Sequence, residues 1–155
     1  MTQGNPIPEG CHSVQPYMMF NECAKAMEFY AQAFGAREVL CMKDKDGRVQ
    51  HAEMELGDSR MMMADESEPA QAFAVKHYGG SPVSLLFYTE DTDAMYARAL
   101  AAGASSLRAP ADQPYGDRMA GIEDPFGYKW YIATHIKQMR VEEMESAISQ
   151  TSASS

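Results

Sequence analysis

The stretch FNECAKAMEFYAQAFGA, residues 20–36, returns in outline 68 residues later as YTEDTDAMYARALAAGA, residues 88–104. Each copy follows an apolar run, continues with apolar side chains at helical spacing and closes on a glycine followed by an alanine. The apolar stripes are Cys23, Met27, Tyr30, Ala31 and Phe34 in the first copy and Met95, Ala99 and Ala102 in the second. Gly35 and Gly103 supply the left-handed residue that commonly ends a helix. This alignment places Phe20 opposite Tyr88 and indicates an internal duplication.

Short strand candidates surround each of the two predicted helices. They are residues 13–20, 37–42, 49–56 and 60–64 in the first half and 83–88, 105–109, 117–123 and 128–134 in the second. Turn-forming residues separate the later strands of each half. Asn21 and Asp91 are the predicted N-caps of the helices. Each half is therefore predicted to be a βαβββ module of an α+β fold, with the helix covering one face of a sheet.

The predicted organisation is one domain over residues 1–155, which is a usual length for a single domain. Its parts are module one at about 12–64, a linker at about 65–81, module two at about 82–135, and a C-terminal helix and tail at about 139–155. Val141, Met144 and Ile148 can line one face of the short C-terminal helix. The serine-rich end, residues 151–155, is predicted to be disordered.

Composition excludes several classes of function. The formal net charge is −9 and the basic residues are not clustered, which argues against nucleic-acid binding. No apolar run approaches the length of about 18 residues that a membrane span needs, and the N-terminal residues do not resemble an export signal. The three cysteines form an odd set without a CxxC motif. They predict reduced thiols in a cytoplasmic protein.

A set of short motifs follows along the chain in a fixed order. They are IPEG (7–10), AKAMEFY (24–30), AFGA (33–36), HAE (51–53), GDS (57–59), SPVS (81–84), GDR (116–118), DPFG (124–127), and Trp130 with IATH (132–135). Together they resemble the PhnB-like branch of the vicinal-oxygen-chelate (glyoxalase/bleomycin resistance/dioxygenase) superfamily, over about residues 7–145. The resemblance implies paired βαβββ modules, each curled around half of a cavity, usually in a homodimer.

The resemblance also indicates where a metal would be bound. Metalloenzymes of the superfamily take His, Glu or Gln ligands from the first and last strands of each module, and those positions fall here on Gln15, Met63, Ser84 and Tyr131. A divalent ion normally needs three or four good N, O or S donors, and a thioether, a hydroxyl and a protonated phenol are poor ones. We therefore expect no metal site and no cofactor.

The same four positions converge in the family and predict a ligand pocket. Strand alternation adds Tyr17 to the face of Gln15, and Leu86 and Tyr88 to the face of Ser84. The result is a mainly apolar pocket with a few hydroxyl and amide groups, typical of a small-molecule site. The expected ligand is apolar or anionic.

Three further sets of polar residues are open to two interpretations. Arg118 is a candidate to bind a carboxylate or phosphonate of the ligand, or to hold the hairpin by pairing with Asp117, Glu123 or Asp124. His51, Glu53 and Glu55 share one strand face, as an acid–base or metal cluster or as an ordinary solvated face. The single histidines His12, His77 and His135 have no partners at ligand spacing and are interpreted as incidental.

The sequence favours metal-free binding or sequestration of a small molecule. The first alternative is a lyase, isomerase or dioxygenase, with a metal held by His51 and Glu53 or with acid–base chemistry by Tyr131 and Arg118. The second is a structural dimer whose core is filled. Nucleotide-binding and nucleophile motifs are absent from the sequence. The demethylubiquinone methyltransferase label carried by some relatives of this branch therefore has no motif to support it.

Overall fold

Each half of the chain folds around its own four-stranded sheet. The computed structural model describes residues 3–153 and divides the chain into two compact units, Met1–Pro82 and Val83–Ser155. Each unit contains one βαβββ module, and a helix follows the second module. The predicted α+β fold of two such modules with a short C-terminal helix is thus confirmed.

Unit 1 follows the predicted strand–helix–strand order. Its elements are β1 (Tyr17–Phe20), α1 (Cys23–Phe34), β2 (Arg37–Lys43), β3 (Val49–Leu56), β4 (Ser59–Asp65) and the short α2 (Val75–Tyr78). The sheet order is β1-β4-β3-β2, with β1 parallel to β4 and the other pairs antiparallel. Helix α2 lies in the segment that the sequence predicted only as a linker.

The core of unit 1 lies between α1 and one face of this sheet. The apolar stripe of α1 is buried at Cys23, Met27, Tyr30 and Phe34. The sheet meets it with every second residue of its strands: Met18, Phe20, Ala52, Met54, Met61 and Met63 are all buried. Period-2 alternation in the strands and helical spacing in α1 therefore generate the two surfaces that pack together.

Unit 2 repeats the topology with a second helix at its end. Its elements are β5 (Leu85–Tyr88), α3 (Thr92–Ala102), β6 (Ser105–Asp112), β7 (Asp117–Glu123), β8 (Lys129–His135) and α4 (Val141–Ser152). The sheet order is β5-β8-β7-β6. Its buried residues include Ala120, Ile122, Trp130 and Ile132 on the strands and Ala99 on α3. No residue of α4 is buried.

The two copies of the repeat are one residue out of step at the start of their helices. The C-terminal glycines lie 68 residues apart, but the N-caps are Glu22 and Asp91, which lie 69 apart. Phe20 is therefore buried under its helix, whereas Tyr88 is 61% exposed on the other face of its sheet. The predicted equivalence of Phe20 and Tyr88 is wrong for this reason.

Helix capping differs between the units. The Asp91 side chain accepts a hydrogen bond from the Ala94 amide, as predicted. The prediction for Asn21 is wrong, because the N-cap is Glu22 and no side chain of the cap residue closes the first turn. The Cys23 amide instead donates to Asp65 at the end of β4 (2.8 Å), which also accepts from the Val49 amide (2.7 Å). One carboxylate thus joins α1, β3 and β4.

The C-terminal helix extends further than the sequence suggested. Thr151 and Ser152, assigned to a disordered tail, belong to α4, while residues 154–155 lie outside the described residues. Within residues 3–153 no helix combines the length and the apolar character needed to cross a membrane.

The turn before β8 is organised by one buried carboxylate. Asp124 is 3% exposed and accepts hydrogen bonds from the Phe126 and Tyr128 amides (2.9 and 3.0 Å) and from the Trp130 indole N–H (2.9 Å). Removing this carboxylate leaves donors without an acceptor, and that costs more than the bonds contribute when formed.

We predict that Asp124→Ala lowers the free energy of unfolding by about 3 kcal/mol. Asp58→Ala, in the exposed turn before β4, is the matched control and should change it by less than about 0.5 kcal/mol. Urea unfolding followed by Trp130 fluorescence measures both. Equal effects of the two substitutions would contradict an organising role for Asp124.

Candidate functional site

The face of the unit 1 sheet opposite α1, which we call open face 1, carries the residues of interest. The pairing register puts Tyr17 beside Met62, Met62 beside Glu53 and Glu53 beside Leu40, so these side chains project to the same side. The apolar residues of this face are Met19, Leu40, Met42 and Met62. Tyr17 is 50% and Met42 55% exposed. Open face 1 is thus an accessible apolar surface with polar groups set into it.

The polar groups of open face 1 form a continuous hydrogen-bonded chain, which we call the polar chain. The Tyr17 hydroxyl lies 2.8 Å from His51 Nδ1, and His51 Nε2 lies 3.1 Å from Glu53 Oε1. The other carboxylate oxygen of Glu53 accepts from Arg60 Nη1 at 2.6 Å. The side chains become less exposed along the chain, since Glu53 and Arg60 are nearly buried.

Local electrostatics fix the charge states of Glu53 and Tyr17 in the polar chain. The hydrogen bonds from His51 and Arg60 lower the pKa of the Glu53 carboxyl, against the opposite effect of its partial burial. Partial burial and the nearby Cys23 and Glu53 raise the pKa of the Tyr17 phenol. At neutral pH Glu53 is therefore a carboxylate and Tyr17 a protonated phenol.

A cavity of about 700 Å³ opens beside this face. Tyr17 and Met19 belong to its wall, together with Arg48, Gln50 and residues between 64 and 73. The wall includes the acidic residues Asp65, Glu66 and Glu68, while Arg48 already donates to the Glu66 carbonyl (3.0 Å). The cavity has the size of a small-molecule site but is not built to attract an anion.

Unit 2 has a corresponding surface opposite α3, which we call open face 2. Leu86 pairs with Tyr131, and Tyr131 with Gly121, so Leu86 and Tyr131 lie on the same side. A Cβ at Gly121 would approach the Tyr131 ring to 3.2 Å, so glycine leaves room for the ring to lie over β7. Leu86 is 45% exposed. This surface is also apolar and accessible.

A second polar cluster lies at the end of open face 2. Asp117 is buried and accepts a hydrogen bond from the Tyr88 hydroxyl (3.1 Å), and its other oxygen lies 2.7 Å from His135 Nδ1. The hydrogen bond with Asp117, and after it the one with Gln138, raise the pKa of His135. His135, interpreted from the sequence as incidental, thus has a structural partner in Asp117, which the sequence did not reveal. Residues 117 and 135 face each other directly across β7 and β8, a pairing that only the strand register reveals.

The structure divides the predicted pocket residues into four groups. Tyr17 lies on open face 1, and Leu86 and Tyr131 lie on open face 2. Gln15 and Ser84 precede β1 and β5, and the Gln15 amide donates to the His12 carbonyl. Met63 pairs with the buried residues Met18 and Ala52 and is itself fully buried on the α1 side. Met63 therefore does not line the same surface as Tyr17. The sequence-based prediction placed the side chains of β4 one residue out of register, and Met62 is the residue that lies beside Tyr17.

Arg118 is also on the wrong side of its sheet for a ligand site. Its guanidinium forms a bidentate ion pair with Asp93 of α3 (2.6 and 2.9 Å) and a further ion pair with Asp112 of β6 (2.9 Å). It faces α3, whereas Tyr131 faces away from α3, so the two cannot act together as an acid–base pair. Arg118 ties the helix to the sheet, through different partners from those the sequence suggested.

His51 and Glu53 do not form the ordinary solvated face that was one of their two interpretations, and an acid–base role for them stays a prediction. Ala52 and Met54 do turn inward as expected, but His51 and Glu53 are largely shielded from solvent. Sequence reasoning missed Arg60 and the bond from Tyr17 to His51. The available signal was the tight turn at residues 57–58, which brings Arg60 next to Glu55 and within reach of Glu53.

Comparison with known proteins identifies the family. The family model of the glyoxalase/bleomycin resistance protein/dioxygenase superfamily matches residues 14–132. The chain belongs to this superfamily.

Three similar proteins illustrate the range of its relatives. An uncharacterized protein of Mycobacterium bovis is 30% identical over 140 residues, covering 88% of this chain and 92% of that protein. A gene product of Arabidopsis thaliana of known structure is 27% identical, with a TM-score of 0.64 over 79% of this chain and 98% of that one. A Bacillus cereus structure described as a putative 3-demethylubiquinone-9 3-methyltransferase, PhnB protein, is 20% identical, with a TM-score of 0.61 over 79% of this chain and 99% of that one. The last comparison concerns the fold alone.

The residues present do not fit the metal site known from this superfamily. Of the inherited positions, Met63 offers a buried thioether on the far face, and the Gln15 amide is bonded to its own loop. Within residues 3–153 no group of three His, Cys, Asp or Glu side chains is placed to hold an ion. A metal at His51 and Glu53 would have to compete with Tyr17 and Arg60 for their hydrogen-bonding atoms.

We predict that Glu53→Gln lowers the free energy of unfolding by about 1–2 kcal/mol at neutral pH, because it removes the charge that compensates the shielded Arg60. Since the folded-state pKa of Glu53 is lowered, its contribution is complete above the unfolded pKa of 4.5 and is lost as the pH falls through the folded value. The difference between wild type and variant should therefore shrink in acid.

Urea unfolding at neutral pH and at about pH 3 measures this difference. Glu55→Gln, two residues along the same strand, is the matched control, because its ion pair with Arg37 is exposed. It should cost less than about 0.5 kcal/mol. A Glu53→Gln deficit that is the same at both pH values would count against the charge as its cause.

Proposed function

We propose that this protein binds an apolar small molecule on its open sheet faces, without a metal ion. The observation that carries the proposal is open face 1, where the hydrogen-bonded Tyr17 hydroxyl stands among accessible methionine side chains and borders a cavity of about 700 Å³. Ligand sites typically combine such an apolar lining with a few fixed polar groups.

Open face 2 supports the proposal independently. Leu86 and Tyr131 lie side by side there, and Leu86 is 45% exposed. We assign Leu86 and Tyr131 to ligand binding on open face 2 and Tyr17 to ligand binding on open face 1. Gln15 and Ser84 lie just before β1 and β5, the strands that carry Tyr17 and Leu86. Met63 and Arg118 are not part of this assignment.

The surroundings favour an uncharged ligand over an anion. Arg118 is fully engaged by two carboxylates, and the cavity wall of unit 1 carries three acidic side chains. Methionine side chains adapt to varied apolar shapes, which suits sequestration of a range of related compounds. A filled structural core is disfavoured, because it would leave no accessible apolar face.

We further propose that the protein is a cytoplasmic homodimer. Val14, Tyr78 and Val83, which are not assigned to the ligand, leave apolar side chains exposed in the single chain. A second copy related by a two-fold axis covers the same surface twice. The three unpaired cysteines support a reducing compartment.

We predict that the neutral fluorescent probe N-phenyl-1-naphthylamine binds the native protein and that EDTA does not change its affinity. Leu86→Ala should weaken binding several-fold, through the loss of about 1–2 kcal/mol of apolar contact. Leu107→Ala is the control, because Leu107 is 47% exposed, nearly the same as Leu86, but lies on the edge strand β6. A probe that binds only after a divalent ion is added, or not at all, refutes metal-free binding.

We predict a mass of about twice 17.1 kDa by light scattering at micromolar concentration. The physical reason is the exposed apolar surface described above. A mass that stays at the monomer value across this concentration range rules out the dimer without affecting the ligand prediction.

A further inference from the structure

We propose that Tyr17 presents only a hydrogen-bond acceptor to open face 1, so that this site selects aromatic ligands with a weakly acidic hydroxyl, such as phenols and enols. Ligands that can only accept a hydrogen bond are disfavoured. The inference rests on the proposed ligand-binding function and adds the chemical class of the ligand. It follows from the order of donors and acceptors along the polar chain.

The order of donors and acceptors begins at Arg60, whose guanidinium can only donate hydrogen bonds. Arg60 Nη1 gives a hydrogen to Glu53 at 2.6 Å, and both side chains are shielded from solvent. An ionised carboxylate has no hydrogen of its own and can only accept. The hydrogen between Glu53 and His51 must therefore belong to His51 Nε2.

The next group in the polar chain is the imidazole of His51. In a neutral histidine one ring nitrogen carries the hydrogen and the other is an acceptor. When the His51 ring is neutral, Nε2 carries the hydrogen and Nδ1 is the acceptor, so the hydrogen between His51 and Tyr17 comes from the phenol. The raised pKa of Tyr17 agrees with a phenol that keeps this proton.

The result at the end of the chain is a phenol oxygen whose only hydrogen is already donated. Its free lone pairs are what an arriving ligand meets, so the complementary group is a donor. Tyr17 is half exposed, which leaves this oxygen accessible, whereas the atoms that set its polarity are shielded behind it.

The surroundings specify the rest of the ligand. Met62 lies beside Tyr17, and Met42 lies beside His51, so the acceptor is bordered by thioethers. Methionine sulfur makes favourable contacts with aromatic rings. An aromatic ring with one hydroxyl satisfies both the apolar border and the acceptor at its centre.

Three naphthalenes that differ in one substituent test the polarity directly. 2-Naphthol can donate, while 2-methoxynaphthalene and 2-acetylnaphthalene can only accept. Isothermal titration of the full-length protein should give a dissociation constant about tenfold lower for 2-naphthol than for either of the others. In Tyr17→Phe this preference should disappear, whereas Tyr96→Phe, which removes an exposed hydroxyl from α3, should keep it.

Glu53→Gln gives a sharper test, because it should abolish the preference for 2-naphthol while Tyr17 keeps its hydroxyl. Arg60 can only donate, so it holds the amide oxygen of the new side chain, and the amide NH₂ then points to His51 Nε2. His51 must now carry its hydrogen on Nδ1 and donate to Tyr17, whose own hydrogen turns to the ligand. The variant should therefore bind 2-acetylnaphthalene better than 2-methoxynaphthalene and lose its advantage for 2-naphthol.

The outcomes separate this inference from the proposed function. Equal binding of all three compounds to the wild type overturns the acceptor assignment and leaves small-molecule binding standing. A wild type that prefers 2-acetylnaphthalene, or a Glu53→Gln variant that keeps the wild-type order, also overturns it. If none of the three binds, the ligand class is wrong, and the proposed function is judged by the naphthylamine probe. Circular dichroism of each variant confirms that the comparison is made between folded proteins.

Discussion

Each four-stranded sheet of this protein packs against a helix on one of its two faces and leaves the other face accessible. The rest of the structure depends on this difference between the two faces. Helix α1 covers one side of the first sheet and α3 one side of the second. Alternate strand residues on the covered side form the cores, from Met18 and Met54 in unit 1 to Ile122 and Ile132 in unit 2. The uncovered sides keep accessible apolar groups, which is unfavourable in water unless something else occupies them.

Polar side chains on a partly covered surface must form hydrogen bonds or ion pairs with one another. Once Glu53 and Arg60 are shielded, each requires a partner, since a shielded charge without one is strongly destabilising. The chain from Arg60 to Tyr17 provides those partners in sequence and ends at an accessible phenol. The property that makes Tyr17 a candidate for recognition is thus a consequence of the need to satisfy buried charge.

The two units differ in the residues that they place on their open faces. Unit 1 places an ion pair and an imidazole in the middle of its open face, while unit 2 has Leu86, Gly121 and Tyr131 there and keeps its carboxylate, Asp117, at the end. The one-residue offset at the start of the helices contributes to this divergence, because it turns Phe20 inward and Tyr88 outward. A duplicated fold therefore carries two unlike surfaces.

The sequence by itself determined the elements, since helical spacing, strand alternation and turn residues act locally. It located six of the eight strands to within two residues at either end, β6 without its last three residues and β1 by its second half, as well as the terminating glycines. It did not determine the faces of β4, because three successive methionines at 61–63 give no alternation to read, and pairing across the turn at 57–58 decides which one points outward. Only the tertiary structure brought Asp93 to Arg118 and His51 to Tyr17. These contacts join residues 25 and 34 positions apart, and their geometry is set by strand register and helix packing, which no local pattern contains.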